Sequence, residues 1–427
     1  MGAGFVIIGG GVAAVGCIEG LRTREARTPI TVVSRENYLV YGRPLIVEVL
    51  KGERTPEQIL YRDPAYYDRM KVSFLLGREA VRIDTAARMI ELDSGEKLPY
   101  RKCLVATGGL PFIPPMEGLQ GPDVYTFTTL DDAARLSEAV PAIRQAVVIG
   151  GGLIGLKVAE GLHERGVAVT IVELAPRILS AAFDDAAGQM ISARLGEVGI
   201  NVMCNCSVKT ILRGRPGLGC EEGRVRGVRL TDGRELACQA VVAAIGVAPN
   251  RALAEKSGLK VNRGVVVDDY LRTSAPHVYA AGDVAEAYDL SIKGRRVVPI
   301  WPNAYLQGYA AGRNMAGARV KYQGGLPMNS IAFYGIPTIS AGVTNPPEGG
   351  GFEVLRRLEP ERHFYRKLVF RRGRLAGYVL VGEVARAGLL TGLIRDGAEV
   401  AACKERLLSE GLGYLDLPEE LRRERLA

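Results

Sequence analysis

The stretch VIIGGGVAAVGCIEGL begins at Val6, and a near copy, VVIGGGLIGLKVAEGL, begins at Val147. Each copy opens on a short apolar run (Val6, Ile7, Ile8; Val147, Val148, Ile149) that reads as a buried parallel strand. Three glycines follow, then an apolar helical period with few breakers. A strand, a glycine turn and a helix in this order bring the positive end of a helix and its free N–H groups up to a phosphate. Gly9 and Gly150 permit the tight turn, and Gly11 and Gly152 let the backbone approach a pyrophosphate. The third small position, Ala14 in the first copy and Gly155 in the second, lets helix and strand lie close, with Leu153 and Ile154 leading into it. One glycine turn is weak evidence for a ligand. Two in the same context, each followed by a further strand (ITVVS, 30–34; VTIVE, 169–173), point to two dinucleotide cradles in an α/β chain.

The ends of those second strands separate the two ligands. VTIVE finishes on Glu173, about 20 residues past its turn, where an acid accepts from a ribose 2′-hydroxyl and repels a 2′-phosphate. The second cradle is therefore expected to prefer NAD(H) over NADP(H), with Arg177 nearby as a counter-argument. ITVVS runs into Ser34, Arg35 and Glu36 with no acid at the equivalent place, so its dinucleotide is held mainly by other contacts.

A chain of 427 residues is too long for one core and suits two or three domains. No apolar run approaches the roughly 18 to 20 residues that span a bilayer. The N-terminus enters a strand pattern directly, so no signal peptide is expected. Seven cysteines without regular spacing argue against a disulfide framework and for a reducing, cytoplasmic setting. The net charge is +8, but the basic residues are mostly isolated. The short runs FRRGR (370–374) and LRRER (421–425) read first as solvated faces and second as a docking surface for an acidic partner; nucleic acid is not expected.

Three more strings complete an ordered set: CLVATGGLPFIPP (103–115), VVAAIGVAPN (241–250) and HVYAAGDVAEA (277–287). With the two glycine turns, they resemble the two-dinucleotide-fold flavoprotein reductases of the pyridine nucleotide–disulfide oxidoreductase superfamily, over essentially the whole chain. YGRPLIVEVL (41–50), WPNA (301–304) and NSIAFYG (329–335) are similar to the branch holding ferredoxin and rubredoxin reductases, NADH oxidases and the flavoprotein part of NADH-dependent nitrite reductases. The resemblance implies two Rossmann-like domains, with an FAD-binding domain (1–111 and 248–318) interrupted by an NAD(P)H-binding domain (112–247), and a C-terminal α+β interface domain (319–427). It places Ser34, Arg43, Pro44, Val81, Ala106, Thr107, Gly108, Gly282 and Asp283 around FAD, with Asp283 accepting a ribityl hydroxyl. It puts the start of a helix at Asn303 and Ala304 against the flavin pyrimidine ring, and Gly246 near NAD. Phe333 or Tyr334 packs near the flavin, or both are plain core aromatics.

Relatives with disulfide or peroxide chemistry carry a redox cysteine near the segment 37–50, and this chain has none there. Cys17 is expected to be an apolar core residue, and Cys204 and Cys206 are too sparse for an iron–sulfur cluster. His163, His277 and His363 lie far apart, so no metal site is expected. Many relatives pair a Lys after the Arg-Pro with a Glu on the NAD helix; here the helix position is Lys157 and the other segment offers Glu48. The expectation is a charge-swapped Glu48–Lys157 pair near flavin N5, set against a solvent-facing Lys157. The implied activity is hydride transfer between NADH and FAD, with onward electron transfer to a ferredoxin, a rubredoxin or an iron–sulfur subunit. The rivals are an NADH oxidase making peroxide and a structural or signalling flavoprotein. A homodimer or membership of a larger complex is expected.

Overall fold

The computed structural model describes residues 3–214, 222–419 and 421–422. The chain divides into two units: Met1–Ile46, Arg54–Leu110 and Val247–Pro327 form the first, and Val47–Glu53, Pro111–Gly246 and Met328–Ala427 the second. The first is thus discontinuous in sequence and includes Val247 and 319–327, while 112–246 and 328–427 fall together in the second.

In the first unit, β1 (Gly4–Ile8) runs into α1 (Val12–Arg22) and returns as β2 (Ile30–Ser34). β1 lies parallel to β2 on one side and to the strand Lys97–Val105 on the other. The strand Val278–Ala280 joins the same sheet alongside Cys103–Val105, so chain returning after the second unit completes the first sheet. Their Val, Ile and Leu side chains are buried on both faces, as a helix-covered parallel sheet requires. The helix Trp301–Met315 packs on α1 backbone to backbone. Cβ atoms added at Gly16 and Gly20 would meet the carbonyl oxygens of Tyr305 and Tyr309, each at 2.2 Å.

The second unit includes all but the first residue of the short helix α2 (Ile46–Lys51), which comes from the N-terminal part of the chain. Its parallel sheet is built on β3 (Gln145–Ile149), α3 (Leu153–Glu164) and β4 (Ala168–Val172), with Asn201–Met203 beside β4 and Ala240–Ala243 beside β3. The helix α4 (Asp185–Glu197) follows β4. The C-terminal part is a five-stranded antiparallel sheet in the order 328–333, 336–342, 374–381, 364–371, 352–359, covered by the helix Ala387–Asp396.

Candidate functional site

The two glycine turns have matching geometry. Gly9 donates to Val33 C=O and Gly150 to Val172 C=O, each at 2.8 Å, which sews each turn to the end of the neighbouring strand. Gly9 (φ +118°) and Gly150 (φ +106°) are left-handed, and a Cβ on either would strike the carbonyl oxygen of Ala106 (2.1 Å) or Ala244 (2.5 Å). The ATG string (Ala106, Thr107, Gly108) and the AIG string (Ala244, Ile245, Gly246) therefore stand in the same place on the two sheets. Gly108 (φ +66°) and Gly246 (φ +146°) both face open space. Thr107 donates to Asn250 C=O at 2.7 Å, tying this crossover to the returning chain within the first unit.

Gly11 and Gly152 are the N-caps of α1 and α3, neither capped by a side chain, and a Cβ on either meets nothing within 4 Å. The first-turn N–H groups, those of Leu153, Ile154 and Gly155 in the second copy, thus open onto free ground. A Cβ on Gly155 would lie 1.9 Å from Gly150 C=O, whereas Ala14 is accommodated, fully buried. Beside the middle glycines stand the residues that end the second strands. The missing Cβ of Gly10 faces Ser34 Oγ (2.6 Å), and that of Gly151 faces Glu173 Oε2 (3.2 Å). Glu173 is clamped by the N–H groups of Gly151 (2.6 Å) and Ala175 (2.7 Å), one to each oxygen, which leaves each oxygen able to accept again. Arg177 is turned aside: it pairs with Asp185 at 2.7 Å and donates to Phe183 C=O at 3.4 Å.

In the first unit, Glu36 accepts from Tyr41 Oη (2.6 Å) and Arg43 (2.7 Å). Arg43 in turn lies in the field of Asp283, so two expected site residues from distant segments come together. Burial pushes the Asp283 carboxyl up and the Arg43 charge offsets part of that; the group accepts no hydrogen bond among the described residues. Gly282 is left-handed (φ +82°), and its N–H donates to Gln307 Oε1 at 2.8 Å. Pro44 is exposed at the start of its 3-10 turn, and Val81 is half-buried on the strand Ala80–Asp84.

The chain matches the pyridine nucleotide-disulphide oxidoreductases over residues 4–308 and the C-terminal domain of rubredoxin NAD+ reductase over 327–398. The chain belongs to the pyridine nucleotide-disulphide oxidoreductase family. It is an oxidoreductase whose cofactors are FAD and NAD(H). It is 33% identical over 413 residues to the NADH-dependent phenylglyoxylate dehydrogenase subunit epsilon of Aromatoleum evansii, covering 96% of this chain and 95% of that one. It is 30% identical to the nitrite reductase [NAD(P)H] of Bacillus subtilis, covering 93% of this chain but only 48% of that protein. A solved ferredoxin reductase from Rhodopseudomonas palustris superposes with a TM-score of 0.84 at 26% identity, over 96% of this chain and all of that one. The uncapped helix starts, the open ground over Gly11 and Gly152 and the unsatisfied Asp283 carboxyl fit two dinucleotides.

Three expectations change. Lys157 does not reach Glu48: its ammonium pairs with Glu160, one turn along the same helix, and reaches Ala332 C=O at 3.4 Å. The nearer carboxylate wins because it is fixed on the same helix face, i to i+3. Glu48 feels the Lys157 charge, but burial and a hydrogen bond with Glu53 push its carboxyl up. Asn303 and Ala304 are already engaged. The Asn303 side chain bridges the N–H and C=O of Leu326, each at 3.4 Å, and Ala304 N–H donates to Ile300 C=O at 3.0 Å. The open donors of that helix start are the main-chain N–H groups of Trp301 and Asn303, since Pro302 has none. Phe333 exposes no surface, so it is a core aromatic rather than a ligand face, and Tyr334 is half-buried with its hydroxyl 2.8 Å from His163 Nδ1.

Sequence reading missed Glu160, although the LKVAE string places it three residues after Lys157 on a helix. It also missed Asp184, whose partners come from a segment far along the chain. Asp184 caps α4 and accepts from Tyr365 Oη (2.6 Å) and Lys367 Nζ (2.9 Å), both buried. Of the two basic runs, Arg371, Arg372 and Arg374 are exposed, and residues 423–425 of the other lie outside the described residues. Among the described residues no helix is long and apolar enough to cross a membrane, and no group of His, Cys, Asp and Glu is placed to hold a metal.

Proposed function

We propose that this oxidoreductase passes electrons between NAD(H), held on the second unit, and a one-electron iron–sulfur protein, by way of FAD held on the first. The observation that carries the reading is the pair of matched cradles with, among the described residues, no thiol suited to relay electrons: Cys204, in the field of Glu173, is pushed up by burial. Residues 37–50 hold no cysteine; Cys17 and Cys103 are buried, and desolvation holds their thiols far above the ordinary range. FAD held in the first cradle would supply the exchange between two-electron hydride chemistry and one-electron transfer, so no protein thiol need intervene.

The chain's own residues do the holding. The first-turn N–H groups after Gly11, with Gly9 and Ala14 shaping the turn, receive the FAD pyrophosphate. Ser34, Arg43 and Pro44, with Val81 and the Ala106–Gly108 crossover, border its remaining length, and Asp283, beside Gly282, accepts from a ribityl hydroxyl. Gly150, Gly152 and Gly155, with the N–H groups of Leu153 and Ile154, do the same for NADH, with Gly246 beside the turn. Glu173 accepts from the adenosine ribose. Its fixed carboxylate and the diversion of Arg177 to Asp185 favour NADH over NADPH. The iron–sulfur partner class is supported by the rubredoxin reductase C-terminal match and by the solved ferredoxin reductase. A cytoplasmic location accords with cysteines that form no disulfide among the described residues.

The test is anaerobic stopped-flow reduction of the FAD-loaded protein by NADH, followed by reoxidation with ferredoxin, rubredoxin or dioxygen. Fast reduction by NADH with reoxidation faster by a carrier than by air is expected. Reoxidation faster by dioxygen than by either carrier would replace the reading with an NADH oxidase. Failure of NADH to bleach the flavin would remove a hydride-transfer role altogether.

A further inference from the structure

The group of charges on α3 and the hairpin against it is more closely organised than the proposed activity requires. Glu160 is 5% exposed. One of its oxygens takes the Lys157 ammonium and the other the main-chain N–H of Tyr334 at 3.3 Å. Tyr334 sits in the two-residue turn between the strands Met328–Phe333 and Ile336–Gly342, left-handed at φ +44° and followed by Gly335 at φ +83°. An aromatic residue is rare in that region and persists where its surroundings over-determine it. Here they do: its N–H is on Glu160, its hydroxyl beside His163, and its C=O accepts from Arg194 Nε at 3.3 Å. Lys157 adds a bond to Ala332 C=O, two residues before the turn residue.

The other charges nearby are spoken for. Lys51 of α2 pairs with Glu164 at 2.9 Å, Arg165 donates to Leu50 C=O at 2.7 Å, and Glu48 and Glu53 share a hydrogen bond with each other. Glu48 is therefore a weak counter-charge for Lys157, and Glu160 is left as the group that decides where the ammonium sits. Lys157 lies five residues beyond Gly152, about 7.5 Å along the helix axis from the turn.

We propose that Glu160 is a positioning residue: together with the Tyr334 turn it fixes the Lys157 ammonium as a set positive charge beside the nicotinamide half of the bound dinucleotide. This rests on the assignment of α3 to NAD(H). A flexible lysine offered to a ligand must first be ordered, and that entropy is removed in advance when a buried carboxylate holds the side chain. The hairpin turn is then part of the dinucleotide site through α3, although it bears no ligand group itself.

The test uses the FAD-loaded protein and two probes, NAD+ and ADP-ribose, which lacks the nicotinamide. Dissociation constants are taken from perturbation of the flavin spectrum or by calorimetry, with melting temperature measured alongside. Glu160→Gln and Lys157→Met should each weaken NAD+ by roughly fivefold to tenfold, as loss of one partly exposed charged contact entails. The double variant should be no worse than either single one, and ADP-ribose binding should stay unchanged throughout. The swap Lys157→Glu with Glu160→Lys separates positioning from mere structure. It should restore the melting temperature but not NAD+ affinity, because the pair is kept while the sign of the presented charge is reversed. Recovery of both by the swap, or NAD+ binding unchanged in Lys157→Met, a variant at a partly exposed position, would overturn the proposal. If neither probe binds the unaltered protein, the assignment of the second cradle fails instead.

Discussion

Asp184→Asn isolates one charge at the junction between α4 and the C-terminal sheet. The amide is isosteric: its oxygen can still cap Ala187 N–H, while its NH2, standing where the second carboxylate oxygen was, can donate to Tyr365 Oη instead of accepting from it. What it removes is the negative charge facing Lys367, whose ammonium is 2.9 Å away with only 2% of the side chain exposed. Arg356, at 3.9 Å and 60% exposed, contributes little. Removing one member of a buried pair costs about 3–5 kcal/mol, because the other is left charged and dry. For a body of about 150–250 residues, each kcal/mol is worth roughly 2–4 °C, so the second unit should melt roughly 10 °C lower. Adding Lys367→Met to Asp184→Asn should recover much of the loss, since replacing both charges by apolar volume is commonly near neutral. The pH dependence has a definite sign. Burial opposes ionisation of Asp184, but the Tyr365 and Lys367 contacts outweigh it and hold the carboxyl below the usual aspartate range. Its contribution is therefore complete above about pH 4 and is lost as pH falls through the lowered folded value. Differential scanning calorimetry of the two variants between pH 3 and 7 measures all of this. A double variant as unstable as Asp184→Asn, or a deficit that does not shrink on acidification, would refute the account of the junction.

Glu173→Ala should raise KM for NADH roughly tenfold and narrow the preference over NADPH, measured as the ratio of kcat/KM values; an unchanged ratio would show that the acid does not meet the ribose. Gly152→Ala should leave the fold intact, because a Cβ there meets nothing within 4 Å, yet abolish NADH binding; Gly155→Ala should instead destabilise the second unit, its Cβ falling 1.9 Å from Gly150 C=O. Circular dichroism and NADH titration separate the two outcomes. Glu48→Gln should raise thermal stability at pH 7. Burial first, and the Glu53 hydrogen bond second, push the Glu48 carboxyl up. Ionising it therefore costs stability as pH rises from about 4, and the advantage of Gln should vanish below that pH; melting curves that run parallel across the range would contradict this.

Both cradles were legible in the sequence because each is a local phrase, strand, turn and helix within about 20 residues, and because the phrase occurs twice in the same context. The same holds for Glu173, set by its distance from the turn. The junctions were not legible. Tyr334 meets Glu160 across 174 positions and Tyr365 meets Asp184 across 181, and no periodicity links such partners. A left-handed Tyr334 is a property of a hairpin turn already docked, and a buried Lys367 looks in sequence like any strand lysine. Lys157 is the intermediate case. Its partner was within one helical turn, but resemblance directed attention to Glu48, the acid where relatives keep the opposite charge.

The one conspicuous mismatch between the two copies, Gly16 against Lys157, follows from what covers each helix. In the first unit the helix Trp301–Met315 crosses α1 at backbone contact, with Gly16 and Gly20 against the backbone at Tyr305 and Tyr309 and, in return, Gly308 and Gly312 against α1. Cβ atoms on the latter two would lie 2.1 and 2.2 Å from the carbonyl oxygens of Ala13 and Cys17. Four glycines at these spacings admit no side chain, so a lysine at 16 would drive the helices apart. In the second unit the position matching Gly20 is Gly161, and its neighbours are the side chains of Val47 and Leu50 on α2, at 3.1 and 3.0 Å. A side-chain contact of that kind leaves room one turn earlier, and Lys157 occupies it. Close packing of α1 thus fixes glycine in the FAD-side copy, while the looser cover over α3 leaves the NAD-side copy free to carry a charge. That freedom is what makes Lys157, held by Glu160, available to a ligand.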